Sequence, residues 1–271
     1  MTATPFFTAV QGTSLPPLEG TTLLVPAVSI GSVPQLAIDL VLHHPDLKLR
    51  KVGRLDPSFC FPFVGPFDSA DDDDVTTALE VFSNGTLTVM QQRSPVFKSR
   101  DTEYIPALTQ WISSSNFTEV LWLSSIDAAA RTDEEFSTPI LHLLPPNASA
   151  STPLLSTVSK RFPAFKPPKN SHERVESSKV PHIPGSLLTR KLLRHVGESS
   201  EGNQVKLGAL LYFAAEGDTR QDAHNLANVV LLNLLTPSSE PELRGWGEKV
   251  LKEPASWSAL FGQPANSALY A

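Results

Sequence analysis

The side chains able to do chemistry are few and scattered. Ser29, Ser32, Ser124 and Ser125 fall where strands are expected to end, the place where an α/β hydrolase carries its nucleophile. Asp127, two positions beyond Ser125, is a carboxylate that can be read with a serine as a catalytic pair. No G-x-S-x-G elbow surrounds any of these serines. Cys60 is the only cysteine; it can form no internal disulfide, which favours a reducing compartment, and as a nucleophile it needs a neighbouring base. His43-His44 falls at a helix end, where positive charge is favourable, and no H-x-x-x-H or cysteine cluster offers metal ligands. Asp71 to Asp74 reads as a solvated acidic run, because four consecutive aspartates cannot converge on one ion without a loop built for it. Neither G-x-x-x-x-G-K-[ST] nor G-x-G-x-x-G is present, so no phosphate cradle is expected at Gly31. These residues point to no cofactor and no metal. They leave a small-molecule-binding or hydrolytic α/β enzyme as one alternative, with Ser124 and Asp127 as the residues to change.

The elements that must position these side chains are legible from apolar spacing. Thr22 to Val28 is an apolar, β-branched-rich run, as expected of a strand covered on both faces. After the Ser29-Ile30-Gly31 break, Ser32 and Gln35 have the spacing of a capping box and Pro34 lies in the first turn of a helix. Leu36, Ala37, Leu40 and Val41 form that helix's apolar stripe, with Asp39 pointing away from it. A second strand is expected over Lys48–Leu55, parallel to the first. The Phe-rich loop Asp56–Phe67 either covers the domain's own core or meets another protein. Alternating residues flanking Asn84-Gly85 predict a β-hairpin from Leu79 to Ser94.

Tyr104, Leu108, Trp111 and Ile112 mark an amphipathic helix over Asp101–Ser114, followed by a buried strand over Phe117–Ser125 and a short one over Pro139–Leu144. Residues 145–180, rich in Pro, Ser and Lys, are expected to be a flexible insert. Beyond them come a helix over Leu187–His195, a strand over Gln204–Phe213 and a helix beginning near Thr219. The expected organisation is a mobile N-terminus (1–20), one α/β domain from 21–144 and 181–262, the insert at 145–180, and a tail at 263–271. The fold class is α/β: a single domain with a mixed, largely parallel sheet flanked by helices, one β-hairpin and a disordered insert.

Composition excludes several functions. A formal net charge of −6 argues against a nucleic-acid-binding surface and against a polybasic membrane contact. The N-terminus has neither the basic region nor the apolar core of a signal peptide, and no apolar run is long enough to cross a bilayer. The sequons at Asn84, Asn116 and Asn147 are therefore read as chance matches.

Several stretches resemble the proteasome assembly chaperone 2 family. They are Leu23-Leu24-Val25-Pro26-Ala27-Val28-Ser29-Ile30-Gly31 with Val33-x-Gln35-Leu36-Ala37-x-Asp39-Leu40, Gln91-x-Arg93-Ser94, Leu123-Ser124-Ser125, Ile183-Pro184-Gly185, Glu216-Gly217-Asp218 and Ser256-Trp257-x-x-Leu260-Phe261-Gly262. The resemblance implies a non-enzymatic chaperone that pairs with a chaperone 1-like subunit. The pair would bind 20S proteasome α-subunits on the outer face of the α-ring, in cytoplasm and nucleus. It also implies a role for Leu269, Tyr270 and Ala271, which match a hydrophobic-Tyr-any motif that enters pockets between neighbouring α-subunits. There the free carboxylate would meet a cation, Tyr270 would be a rigid amphipathic anchor, and Gly262, Pro264, Asn266 and Ser267 would form the tether.

Overall fold

A computed structural model describes residues 5–11, 15–66, 75–146, 148–167, 180–199, 205–234 and 251–259. An eight-stranded mixed sheet runs through the middle. Its strands are β1 (Phe7–Ala9), β2 (Thr22–Pro26), β3 (Arg50–Leu55), β6 (Leu79–Ser83), β7 (Leu87–Gln92), β8 (Glu119–Asp127), β9 (Ile140–Leu143) and β10 (Leu207–Ala214). They lie in the order β1-β3-β6-β7-β2-β8-β10-β9, and β4 (Val64–Pro66) pairs with β5 (Val75–Thr77) in a separate ribbon. The four central strands β7, β2, β8 and β10 are parallel, and the pairs outside them are antiparallel. The strands before and after the 145–180 stretch share this one sheet, β10 lying along β8 from Leu207↔Val120 to Ala214↔Asp127.

Central strands buried on both faces need helices on both faces. On one side, α2 (Asp101–Ser114) and α4 (Leu187–Glu198) press Tyr104, Leu108, Leu192 and Val196 into a core with Leu23, Val25, Trp122 and Leu211. On the other, α1 (Val33–Leu42), α3 (Pro153–Arg161) and α5 (Arg220–Asn228) close over Leu24, Leu121, Leu123 and Leu210. Leu251 and Trp257, from the chain's last described stretch, join this second core.

Several expectations change. β3 does run in the same direction as β2, but three places away, because the hairpin strands β6 and β7 come between them. The hairpin forms, with its turn centred one residue later than Asn84-Gly85. The Asn84 N–H bonds to the Leu87 carbonyl, Gly85 takes φ +89°, and the Asn84 side chain caps the N–H groups of Thr86 and Leu87. Ser32 makes no side-chain cap to α1; it lies in the left-handed region at φ +53°, following Gly31 at φ +66°. A side chain on Gly31 would press within 2.8 Å of the Ala215 carbonyl, so the strand-to-helix turn needs glycine there.

The N-terminal stretch is not wholly mobile. Phe7 stacks on Trp111 at 6.0 Å between ring centroids, and β1 extends the sheet beside β3. Nor is all of 145–180 unstructured. α3 forms within it, because Leu154, Leu155 and Val158 fall on one helical face and are buried. Residues 168–179 lie outside the described residues, as do Asp71 to Asp74.

Candidate functional site

Two buried polar networks, one on each side of the sheet, hold Ser29, Ser124 and Ser125 in one and Asp39, Gln91, Arg93 and Trp257 in the other. The first is a chain of hydroxyls between β8 and α4. Trp122 Nε1 donates to Thr189 Oγ1 (3.0 Å), and Thr189 Oγ1 donates to Ser124 Oγ (2.8 Å). Ser186 Oγ gives its hydrogen to the Ser125 carbonyl (2.6 Å), so the Ser124 hydroxyl must donate to Ser186 across 2.6 Å. Each hydrogen in the chain is thus assigned. Ser29 Oγ accepts the Ser125 N–H and donates to the Ala27 carbonyl, tying the end of β2 to the end of β8.

This arrangement is poor ground for a nucleophile. Among the described residues no imidazole or carboxylate hydrogen-bonds to Ser29, Ser124 or Ser125, and Ser124 is fully buried. Asp127 is engaged elsewhere: its Oδ1 accepts the Ala129 N–H at the start of a short 3₁₀ turn. The Cys60 thiol is no better placed. Burial, with the nearby Asp56 charge adding to it, pushes its pKa up to about 12 and keeps it protonated at neutral pH. Among the described residues, no grouping of three or more His, Cys, Asp or Glu could hold a metal ion, and no helix is long and apolar enough to cross a membrane.

The second network centres on Asp39. Spacing alone put this residue on the outer face of α1, but Gln91, Arg93 and Trp257 meet it there, and Asp39 is only 4% exposed. Four donors meet its carboxylate. Oδ1 accepts from Gln91 Nε2 (2.6 Å) and one Arg93 nitrogen (2.9 Å). Oδ2 accepts from the other Arg93 nitrogen (3.0 Å) and, over 3.4 Å, from Trp257 Nε1. The forked Arg93 contact is the geometry that compensates a buried carboxylate best. Gln91 Nε2 also donates to the Gln35 carbonyl, so the end of β7 is fastened to α1 twice.

Three motifs separated by up to 218 positions therefore meet at one carboxylate: the Asp of the first helix, the Gln-x-Arg step after the hairpin, and the Trp near the end of the chain. Sequence reasoning missed this meeting. The available signal was a lone acid in an apolar helix, with an arginine at the end of a buried strand.

The PAC2 family model matches residues 23–227, three-quarters of the chain. The chain belongs to the PAC2 family. It is similar to proteasome assembly chaperone 2 of Xenopus tropicalis, at 32% identity over 92% of this chain and 94% of that protein. Similarity to the human protein of that name is 31%, over 96% and 98% of the two chains. In fold the chain is similar to the Pyrococcus furiosus protein PbaA, described as an archaeal homolog of proteasome-assembly chaperone. The TM-score there is 0.59 at 16% identity, over 89% of this chain and 87% of that one. P. furiosus PbaB, described as an archaeal proteasome activator, gives a TM-score of 0.52 at 10% identity, over 89% and 93%. The PAC2 match ends before Trp257, so the Asp39 network joins the matched region to a segment beyond it. Leu269, Tyr270 and Ala271 lie outside the described residues.

Proposed function

We propose that this chain is a proteasome assembly chaperone that works by binding and not by catalysis. It pairs with a chaperone 1-like subunit through its α/β body. The pair sits on the outer face of the 20S α-ring, promotes correct ring assembly and blocks off-pathway pairing of α-rings. Leu269-Tyr270-Ala271 enters a pocket between neighbouring α-subunits, and the work is done in cytoplasm and nucleus. The observation that carries this reading is the similarity to proteasome assembly chaperone 2 proteins along nearly the whole chain.

The side chains agree with it. The Ser29 and Ser124 hydroxyls are bonded to backbone and to neighbouring hydroxyls, and the buried Ser125 hydroxyl has no base bonded to it among the described residues, which gives the enzymatic alternative no support. Phe61, Phe63, Val64 and Val75 stand 49%, 37%, 74% and 42% exposed beside the β4–β5 ribbon, apolar area suited to a protein partner. The test is a pull-down from cell extract with the full chain beside a truncation lacking residues 269–271. The full chain is expected to capture a chaperone 1-like protein and α-subunits. The truncation is expected to keep the first and lose most of the second. Equal recovery of α-subunits would sink the docking role of the tail, and turnover of a small molecule abolished by Ser124→Ala would favour the enzyme.

A further inference from the structure

We infer that Trp257 is a latch: it seats the last described stretch of the chain against the Asp39–Arg93 pair and so sets the point from which the C-terminal tail starts. This rests on the tail-docking reading above. Trp257 is 2% exposed although it lies in a short 3₁₀ turn, Ala255–Ala259, preceded by residues 251–254 without regular secondary structure. Its ring packs in the core beneath α1 and α5, and the His224 ring meets it edge-on at 6.4 Å between centroids. Its N–H points at the carboxylate that Arg93 and Gln91 already hold. Glu253, four residues earlier, reaches back to α5, 3.2 Å from His224 Nε2 and 3.9 Å from Arg220. Leu251 is buried beside them. A stretch of nine residues is thus fixed by two apolar plugs and an ionic contact to α5.

The consequence is a matter of where the tail is anchored. A tethered group reaches its target best when its base is held at the right place, so releasing the latch lowers the tail's occupancy of its target. Trp257 is a positioning residue in this sense. Buried in this chain's own core, it acts through where the tail begins.

The experiment uses the full chain with its chaperone partner. It compares wild type, Trp257→Ala, the 269–271 truncation and the double variant, by affinity for isolated α-rings and by hydrogen exchange of residues 251–259. Trp257→Phe, which keeps an aromatic plug and drops only the long N–H contact, guards against loss of the fold; it is expected to retain most of the protection and to bind within about two-fold of wild type. Trp257→Ala is expected to lose protection across 251–259 and to weaken ring binding by more than about two-fold, with no further loss when the tail is already absent. Retained protection in Trp257→Ala, unchanged binding beside a truncation that does weaken it, or an equal loss in the truncated background would each overturn the latch alone. A truncation without effect overturns the docking reading and the latch's part in it together.

Discussion

The hydroxyls on one side of the sheet and the Asp39 carboxylate on the other are both buried and both hydrogen-bonded, yet the two networks differ in kind. The hydroxyl chain is neutral and local to the body. It pins α4 to β8 through four side chains, and its members lie 65 and 67 positions apart along the sequence for the two longest sequence steps that Thr189 makes. The Asp39 cluster is charged and joins the beginning of the domain to its end. Losing a neutral hydroxyl leaves only weak, neutral groups short of a partner, whereas losing the partner of a buried carboxylate strands a charge. The stronger and less forgiving fastening is therefore the one at Asp39, carried by Arg93 and Gln91, and the terminal segment joins it through the longer Trp257 contact.

The largest effect that would break this comparison comes from Arg93→Ala. Stranding Asp39 is expected to destabilise the chain by about 3–5 kcal/mol, read as a lowered denaturant midpoint, with protection of residues 251–259 lost first. A loss below 1 kcal/mol would mean that the cluster is no firmer than a surface ion pair.

Alkaline pH tests the face of the hydroxyl chain, where Cys60 and Tyr104 are buried. The unfolded thiol ionises near its ordinary value of 9 and the folded one at about 12, so between these values the unfolded state releases a proton that the folded state retains. Stability is expected to be level below pH 9 and to fall as pH rises towards 12, by ~2–3 kcal/mol from Cys60 at pH 11. Tyr104, held well above its ordinary value by burial, and Tyr212, at about 12 on the other face, act in the same direction. Cys60→Ala should flatten part of that decline; an unchanged alkaline profile would count against a buried, protonated thiol.

The smallest effect is Ser124→Ala. Removing one hydroxyl leaves Thr189 and Ser186 short of a partner each, at a cost of about 1–2 kcal/mol. Ring binding by the folded fraction is expected to stay at the wild-type level. A full loss of binding at unchanged stability would give Ser124 a role that its hydrogen bonds do not suggest.

Much of the architecture was legible from the chain itself. The apolar run at Thr22–Val28, the alternation around Asn84-Gly85 and the stripe of Tyr104, Leu108, Trp111 and Ile112 each report on neighbours within a turn or a strand. The insert was misread over α3 because polar composition outweighed three apolar residues whose spacing is helical. Asp39 was misread for a different reason: spacing identifies the apolar face of a helix but cannot tell whether the opposite face will also be covered.

Local periodicity and turn chemistry, which act over a few residues, determined the central strands, the helices α1, α2, α4 and α5 and the mixed α/β class. Tertiary structure decided strand order, set the hairpin between β2 and β3, and turned four scattered hydroxyl and indole groups into one directed chain. It also brought Gln91, Arg93 and Trp257 to Asp39. The reason is physical: an isolated helix leaves that carboxylate in water, and the packing of the end of β7 and of Trp257 against it removes the water, so that each remaining lone pair must find a donor from the chain.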